Sequence, residues 1–240
     1  MNLSIIIPCY NESKNIPILF DQIYECQKKL NFEVIIINNG SNDDTDIIIK
    51  KNIQKIKNIK ILSIEKNIGF GNAIREGIIS AESKIICYTH GDLQIDLDNC
   101  LIGYEILKEH KEKNIFIKSK RLNRNFSDKI FTLMMGLFNT FVFKKKLLDI
   151  HAQPNIFYKP DSKIFKFLPN DMSIDLFFYV FFAKKNFTIK RFNIILNNRV
   201  FGEGANDNLS KKIRYSFRSI LNSFKVRELI KKYFYENYQK

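Results

Sequence analysis

Four polar segments of this chain, each directly after a run of apolar residues, hold the side chains best suited to binding a polar ligand. The segments are 8–12 (PCYNE), 38–43 (NNGSND), 65–71 (EKNIGFG) and 89–94 (THGDLQ). They supply carboxylate, amide, hydroxyl and imidazole groups, and three of the four contain glycine. Strand-to-helix loops are usually polar, but four such segments at one edge of a sheet favour a common ligand site.

The apolar runs before these segments have the pattern of buried strands. Residues 3–7, 33–37, 59–64 and 84–88 are short and rich in isoleucine, and helical patterns over 14–32, 43–57 and 71–82 separate them. Alternating strands and helices predict a doubly wound α/β fold with a mostly parallel sheet. Ligands of such sheets bind beyond the carboxyl ends of the strands, where the four polar segments are expected to lie.

The second half of the chain follows a different pattern. Residues 116–124 predict a short strand that leads into a basic loop, 130–143 are almost unbroken apolar, 173–185 predict a helix and 188–195 predict a strand. The apolar stretch is shorter than the ~18 to 20 residues that a membrane-spanning helix needs. We expect one domain over 1–207 and a basic amphipathic C-terminal helix over 208–240, with the boundary at 202–208.

The 240 residues carry a formal net charge of +14, so part of the surface is expected to meet nucleic acid, acidic lipid headgroups or phosphorylated substrates. Residues 209–240 hold nine Lys or Arg against two Glu, with apolar residues at helical spacing. This tail fits a helix at an anionic membrane surface, a nucleic-acid contact, or a helix packed on the domain. The lack of a nucleic-acid motif favours the membrane, and we expect no nucleic-acid partner.

The cysteines and the N-terminus bear on the compartment. Cys9, Cys26, Cys87 and Cys100 have no metal-ligand spacing, and three of them adjoin apolar runs, so we expect buried thiols in a reducing compartment. The first residues lack the basic start of a secretory signal. We expect a cytoplasmic protein that is soluble or peripheral on the inner face of the cytoplasmic membrane.

Five blocks in order, and a late turn, resemble family 2 glycosyltransferases of the GT-A fold, most of all the polyprenyl-phosphate sugar synthases typified by dolichyl-phosphate mannose synthase. The blocks are 4–12 (SIIIPCYNE), 36–45 (IINNGSNDDT), 67–73 (NIGFGNA), 90–94 (HGDLQ, where the family has D-x-D-L-Q) and 118–124 (KSKRLNR), and the turn is 198–204 (NRVFGEG). The resemblance covers about residues 3–207. It implies a GT-A domain that uses a nucleoside-diphosphate sugar.

The resemblance implies a donor site at the sheet edge. Nucleotide contacts are implied at Pro8, Tyr10, Asn11, Glu12, Asn38, Asn39, Gly69, Gly71 and Gly91. A hard divalent cation, Mg²⁺ or Mn²⁺, needs only one or two protein carboxylates besides the phosphates. Asp92 is the implied ligand, with Gln94 on the same side if the segment is extended. The cation then acts as a Lewis acid on the leaving diphosphate.

Two departures from the family pattern change this site. His90 replaces the first acid of the metal motif, which leaves a nitrogen donor that can bind Mn²⁺ or contact a phosphate. Asn38 and Asn39 replace the acidic pair that usually includes the partner of the base's imino proton. An amide carbonyl still accepts that hydrogen bond, but it carries no charge.

The resemblance also implies an inverting displacement at the anomeric carbon, with an oxocarbenium-like transition state. Arg121, Arg124 and Arg199 match the family's phosphate-contacting arginines, and guanidinium groups grip phosphate bidentately. Beside the apolar stretch 130–143, they favour a polyprenyl-phosphate acceptor. Such a phosphate is largely ionised at neutral pH, so it needs cationic groups more than a base.

Alternatives remain open from the sequence. Asp175 and Asp171 are candidate bases should the acceptor be a hydroxyl of a surface glycan, although Asp175 also suits a helix cap. The segment around Asp149 and Gln153 resembles the family's D-x-x-A-Q-P turn, and we expect both residues to organise the site. His151 carries no signal that separates it from an ordinary loop histidine. A non-catalytic relative that only binds a nucleotide is the third alternative.

Overall fold

The computed structural model describes residues 1–201 and 209–238, and the elements of these residues are arranged around one sheet. Within these residues it has seven strands in the order β3-β2-β1-β4-β6-β5-β7. The strands are β1 (Leu3–Cys9), β2 (Glu33–Asn39), β3 (Ile59–Ile64), β4 (Ile85–Tyr88), β5 (Ile115–Arg121), β6 (Asn155–Tyr158) and β7 (Thr188–Ile194). All seven residues of β1 and of β2 are buried, as expected of central strands covered on both faces.

The sheet is mostly parallel, which confirms the predicted fold class. Strands β3, β2, β1 and β4 run parallel to one another, and β5 runs parallel to β7. The short strand β6 pairs antiparallel with both β4 and β5. The sequence did not predict β6, because four residues directly after a proline give too little pattern.

Helices cover both faces of the sheet. They are α1 (Ile16–Lys29), α2 (Thr45–Asn52), α3 (Phe70–Ser80), α4 (Asp98–Lys108), α5 (Phe126–Phe143), α6 (Ile174–Lys184) and α7 (Leu209–Tyr238), with 3-10 turns at Ile53–Lys55 and Ser162–Phe167. Helices were predicted at α1, α2, α3 and α6, and the structure has them with ends shifted by a few residues. Helix α4 was not predicted.

Alternate residues of the central strands feed two separate cores. Ile6, Ile35 and Ile37 face a core completed by α3, α6 and α7, whereas Ile5 and Ile36 face a core completed by α1 and α4. This division follows from the two-residue period of a strand.

The C-terminal helix α7 is packed on the domain along one face. Val226, Ile230 and Tyr233 are buried in the same core as Phe177 and Phe181 of α6. The sequence left this arrangement open as one of three, and membrane contact by the exposed face stays a prediction. The proposed boundary at 202–208 lies outside the described residues.

Two further sequence expectations bear on the described chain. All four cysteines are buried and free of disulfide bonds, as predicted. Within residues 1–201 and 209–238, no helix is both long and apolar enough to cross a membrane. The apolar stretch 130–143 forms the greater part of α5.

Candidate active site

The first two polar segments are joined by hydrogen bonds at the carboxyl ends of β1 and β2. The backbone N–H of Asn11 donates to Oγ of Ser41 over 3.0 Å, and the N–H of Asn42 donates to Oδ1 of Asn11 over 3.0 Å. The N–H of Glu12 donates to Oγ1 of Thr45 over 2.9 Å. The structure therefore brings these predicted nucleotide-binding segments together.

Tyr10 and Pro8 differ in exposure at this edge. Pro8 is buried in β1, whereas Tyr10 is 45% exposed and offers its ring to a ligand. An exposed ring at such an edge can stack on a nucleobase.

Asn38 and Asn39 are buried, and their side-chain amides mostly form hydrogen bonds with the neighbouring loops. Oδ1 of Asn38 accepts from the N–H of Ser41 over 3.1 Å. Nδ2 of Asn39 donates to Oδ1 of Asn67 over 3.2 Å. Among the described residues, Oδ1 of Asn39 has no hydrogen-bond partner and is itself buried, so its contact with a base stays a prediction that requires this edge to open locally.

Gly69 and Gly71 allow a close approach between two loops. A Cβ atom at Gly69, where φ is +122°, would lie 2.2 Å from the carbonyl oxygen of Asn170, and one at Gly71 would lie 2.2 Å from that of Pro169. The N–H of Asn72 donates to the same Asn170 oxygen over 3.0 Å. These glycines hold the loop before α6 against the start of α3; their contact with a nucleotide stays a prediction.

Gly91 serves the packing of the β4 loop on the end of β1. A Cβ there would lie 2.8 Å from Sγ of Cys9. The absence of a side chain thus lets the segment that carries Asp92 lie directly on the first strand.

Asp92 lies at the carboxyl end of β4, 7% exposed, and is bound by an arginine. Its Oδ2 accepts from Nη2 of Arg199 over 2.6 Å, and its Oδ1 accepts from the N–H of Gln94 over 3.2 Å. Leu93 has a φ of 61°, so the segment is not extended and the geometric argument for Gln94 as a ligand does not hold. Two predicted site residues, Asp92 and Arg199, are brought together from distant parts of the sequence.

Glu12 is a second carboxylate, close enough to Asp92 for their charges to interact. Burial raises the pKa of Glu12, the hydrogen bond from Asn15 opposes the rise, and the negative charge of Asp92 adds to it. Within residues 1–201 and 209–238 there is no cluster of three or more His, Cys, Asp or Glu side chains suited to a metal. The donor set still fits Mg²⁺ or Mn²⁺, because such ions often take one or two carboxylates and complete their shell with phosphates and water.

A cavity of about 480 Å³ lies beside this edge, between α5, α7 and the loop before α6. Its polar wall includes His90, Arg121, Arg124, His151, Asp171 and Arg218, and its apolar wall includes Phe70, Phe131, Met135, Ile150 and Leu176. The ring of His90 lies against that of Phe70 with centroids 5.3 Å apart. A phosphate and an apolar chain can both be accommodated by such a lining.

Arg121 and Arg124, two of the arginines in the wall of this cavity, are held by acidic and hydroxyl partners. Oδ1 of Asp149 accepts from Nε of Arg121 over 2.9 Å, and Oδ2 accepts from its backbone N–H over 3.0 Å. Burial alone would raise the pKa of Asp149, but the hydrogen bonds and charge of Arg121 lower it below its usual value. Arg124 contacts Thr132 and Asp128 of α5. Asp149 thus organises Arg121, as the sequence predicted.

Asp175 is completely buried beneath the cavity. Its Oδ1 accepts from the Tyr88 hydroxyl over 2.8 Å and from Nδ2 of Asn155 over 3.2 Å. Gln153 donates to both oxygens, and Oδ2 lies 3.2 Å from Nδ1 of His151. The carboxylate binds side chains of β4, of β6 and of the turn before β6, and the N-cap residue of α6 is Ser173. The alternative cap role of Asp175 is therefore wrong, and direct contact with a substrate would need this network to open.

His151 connects this buried carboxylate to the cavity, and sequence reasoning missed it. It lines the cavity wall and is 26% exposed at its side chain, whereas the Asp175 side chain has no exposure. Its place between Asp149 and Gln153, two residues predicted to organise the site, was the available signal. Lys118 was also missed: it is fully buried and donates to the Ala152 carbonyl over 2.8 Å and to Oδ1 of Asn155 over 3.0 Å.

Comparison with known proteins identifies the family of this chain. Residues 4–165 match the family described as glycosyl transferase family 2. The chain belongs to that family. The match covers the sheet edge from β1 to β4 and the cavity residues as far as His151, and it ends before Arg199, the loop before α6 and α7.

Two relatives illustrate how far the likeness to this family extends. The chain is 32% identical over 99 residues to a human dolichyl-phosphate beta-glucosyltransferase, covering 38% of this chain and 31% of the relative. It is 29% identical over 164 residues to an uncharacterized glycosyltransferase of Synechocystis sp., covering 65% of this chain and 48% of the relative. The chain thus spans less than half the length of either family member.

Solved structures of other glycosyltransferases share the fold. Glucosyl-3-phosphoglycerate synthase from Mycobacterium tuberculosis, crystallised with Mn²⁺, UDP and glucosyl-3-phosphoglycerate, superposes with a TM-score of 0.66 at 15% identity, over 92% of this chain and 79% of that one. Its complex with Mn²⁺, UDP-glucose and phosphoglyceric acid gives a TM-score of 0.65. The predicted GT-A fold is therefore confirmed.

Proposed function

We propose that this chain transfers a sugar from a nucleoside-diphosphate sugar to a polyprenyl phosphate, with inversion at the anomeric carbon. The observation that carries the proposal is the cavity that combines Arg121 and Arg124 with the apolar side of α5. It opens next to the sheet edge where the family binds its donor. A relative named for dolichyl phosphate and glucose makes UDP-glucose the first donor to test.

The donor half of the proposal uses the edge of β1, β2 and β4. Tyr10 and the amide of Asn39 are the proposed partners of the base, and Asp92 with Glu12 supplies carboxylate oxygens for Mg²⁺ or Mn²⁺. When bound, the ion would stabilise the negative charge on the leaving diphosphate. Arg199, already bound to Asp92, is proposed to share that charge.

The acceptor half uses the cavity. The fixed guanidinium of Arg121 and the neighbouring Arg124 would hold the phosphate by charge-assisted hydrogen bonds. Phe131 and Met135 of α5 would contact the first part of the prenyl chain. A largely ionised phosphate is itself the nucleophile, so the reaction forms one bond to the anomeric carbon as the diphosphate leaves.

A surface on α5 and α7 supports a peripheral membrane location. Ile130, Met134, Leu137 and Phe141 form an exposed stripe on α5. The rings of Phe138 and Phe224 meet with centroids 6.1 Å apart, which joins this stripe to exposed apolar residues of α7. A polyprenyl phosphate resides in a membrane, and we propose that this surface rests on the cytoplasmic face of one.

A hydroxyl acceptor on a surface glycan is the second candidate. Asp171 favours it, because this carboxylate lines the cavity directly, as a general base must. However, its Oδ1 already accepts from the N–H of Ser173 over 2.9 Å, and Lys225 lies 3.6 Å from its Oδ2. These contacts stabilise its charged form and weaken it as a base.

The test is a transfer assay with UDP- and GDP-sugars, Mn²⁺, and undecaprenyl or dolichyl phosphate in detergent, followed by mass spectrometry of the lipid. We expect an acid-labile sugar-phosphate lipid from one donor. Transfer only to a free hydroxyl would favour the second candidate. Tight nucleotide binding without turnover on any acceptor would identify a non-catalytic relative.

A further inference from the structure

The buried network around Asp175 determines which nitrogen of His151 carries a proton. Asn155 accepts from Lys118 through Oδ1, so its Nδ2 must face Asp175 as a donor. The Tyr88 hydroxyl also donates to Asp175, because burial raises the pKa of this phenol well above its usual value. With donors on both sides, Asp175 acts as an acceptor only.

The charge state of Asp175 agrees with this assignment. Burial would raise the pKa of Asp175, but the contact with His151 and the charge of Lys118 lower it below the ordinary value. An ionised carboxylate accepts a proton donor at 3.2 Å, so Nδ1 of His151 carries the hydrogen. Neutral His151 then presents the lone pair of Nε2 on the cavity side, away from the buried carboxylate.

We propose that His151 removes the proton from the monoanionic form of an acceptor phosphate in this cavity, with Asp175 as the residue that positions its ring. The proposal rests on the proposed function. The P–O–H proton passes to Nε2, and its bonding pair stays on the phosphate oxygen. That oxygen forms the bond to the anomeric carbon, and the nucleoside diphosphate leaves with the pair of the broken C–O bond.

The surroundings suit this proton transfer. The phosphate's second pKa lies near ~6, so part of the acceptor is the monoanion near neutral pH and carries the proton that is to be removed. The resulting imidazolium is paired with both Asp175 and the phosphate dianion. Asp175 of α6 and Tyr215 of α7 contact the histidine. The other charged or titratable groups that line the described cavity are Arg121, Arg124, Asp128, Asp171, His90 and Arg218. Behind them, Lys118 donates to the Ala152 carbonyl and Asp149 binds Arg121.

The pH profile of transfer tests the proposal. If His151 and the acceptor share one proton, wild-type kcat/KM for farnesyl phosphate should be a bell-shaped function of pH. In His151→Gln, kcat/KM should follow only the fraction of phosphate dianion and reach a plateau at high pH. The ratio of wild-type to variant kcat/KM should be greatest at low pH, where the acceptor is mostly the monoanion, at about 10²-fold, and should shrink toward high pH as the dianion becomes the main form. Asp175→Asn should change the profile in the same direction, and His110→Gln is the matched control.

Each outcome is decisive. A ratio that does not vary with pH, in variants that still bind UDP, overturns the role of His151 and leaves the proposed function intact. No prenyl-linked product from the wild type overturns both. A second measurement needs no variant: a difluoromethylene phosphonate analogue of farnesyl phosphate, with a lower second pKa, should move the optimum of the bell-shaped wild-type profile to lower pH. An unmoved optimum, or a plateau in place of an optimum, also overturns the proposal.

Discussion

Arg199 donates a hydrogen bond from Nη2 to Oδ2 of Asp92 over 2.6 Å. The partners are separated by more than a hundred residues, and both were singled out from the sequence for different roles. The contact means that a cationic group already neutralises the carboxylate proposed to bind a divalent ion. Donor binding at this edge must therefore rearrange the pair or use the second face of the carboxylate.

Asp92→Ala should abolish metal-dependent transfer. Loss of several kcal/mol of charge stabilisation at the leaving group corresponds to a fall in kcat of about 10³-fold or more. The measurement is nucleotide release in a Mn²⁺ titration, with chelator as the reference. Asp21→Asn, an exposed carboxylate on α1 with a side chain 71% exposed, is the matched control. Metal-dependent turnover that survives in Asp92→Ala would refute the donor-site assignment.

Arg199→Gln should separate metal affinity from catalysis. Removing the guanidinium frees Oδ2 of Asp92, so the Mn²⁺ concentration needed for half-maximal nucleotide binding should fall. Turnover should also fall, because the arginine no longer shares the charge of the diphosphate. Calorimetry with UDP and Mn²⁺ measures the first effect and steady-state assays measure the second. If half-maximal nucleotide binding needs less Mn²⁺ but kcat does not fall, Arg199 pairs with Asp92 and does not share the charge of the diphosphate.

Arg121→Gln and Arg124→Gln should distinguish the two acceptor classes. If both groups hold the acceptor phosphate, each substitution should reduce kcat/KM for prenyl phosphate by about 10²-fold, since a charge-assisted hydrogen bond contributes about 1.5 to 3 kcal/mol. Donor affinity should stay within twofold. Lys111→Gln, an exposed charge in the loop after α4, controls for the loss of net charge. Equal activity on prenyl phosphate in wild type and variants would favour a hydroxyl acceptor.

The edge of the sheet was predictable from the sequence, but the cavity was not. Local signals sufficed for the segments of Asn11 and Asp92, because isoleucine runs and turn residues mark where each strand ends. The Asp175 network was not predictable in this way: Tyr88 and His151 meet this carboxylate only after β4, the turn before β6 and α6 have packed together. Its position in the first turn of α6 suggested a cap, and tertiary contacts overrode that local preference.

The loop around Gly69 gives a second example. The sequence marked Gly69 and Gly71 through a family motif and assigned them to a nucleotide. The structure shows the physical reason for glycine, which is the approach of the Asn170 carbonyl. Such contacts between residues a hundred positions apart leave no trace in local periodicity.

Lys118 should make stability depend on pH. Burial lowers the pKa of Lys118 to about 7, against the opposing charge of Asp175. Between about 7 and its ordinary value of 10.5, the unfolded chain binds a proton that the folded chain does not. The unfolding free energy should therefore rise with pH over this window, by at most about 1.4 kcal/mol per pH unit.

The measurement of this effect is urea unfolding between about pH 7 and 8.5. The range stops there because burial raises the pKa of the Cys9 and Cys26 thiols above their ordinary value of 9.0, which makes stability fall at higher pH. Lys118→Met is one atom shorter, unbranched like lysine, and removes the titration, so the slope should flatten in this variant. Lys84→Met is the control at an exposed lysine. An identical slope in Lys118→Met and wild type would show that Lys118 does not titrate here.

Membrane attachment should depend on the exposed stripe of α5. Met134 and Phe141 are 62% and 83% exposed, one helical face holds both, and an exposed apolar face of this kind is costly unless something covers it. Replacing both by Ser should lower binding to vesicles of anionic and neutral phospholipid at least tenfold, because each buried apolar side chain contributes about 1.5 to 3 kcal/mol.

Ile102→Ser, at an exposed site on α4 across the sheet, should bind like wild type. In detergent, where no bilayer is needed, the double variant should retain its transfer rate on farnesyl phosphate. Loss of that rate would mean that the stripe supports the cavity itself, and unchanged vesicle binding would mean that the membrane contacts another surface.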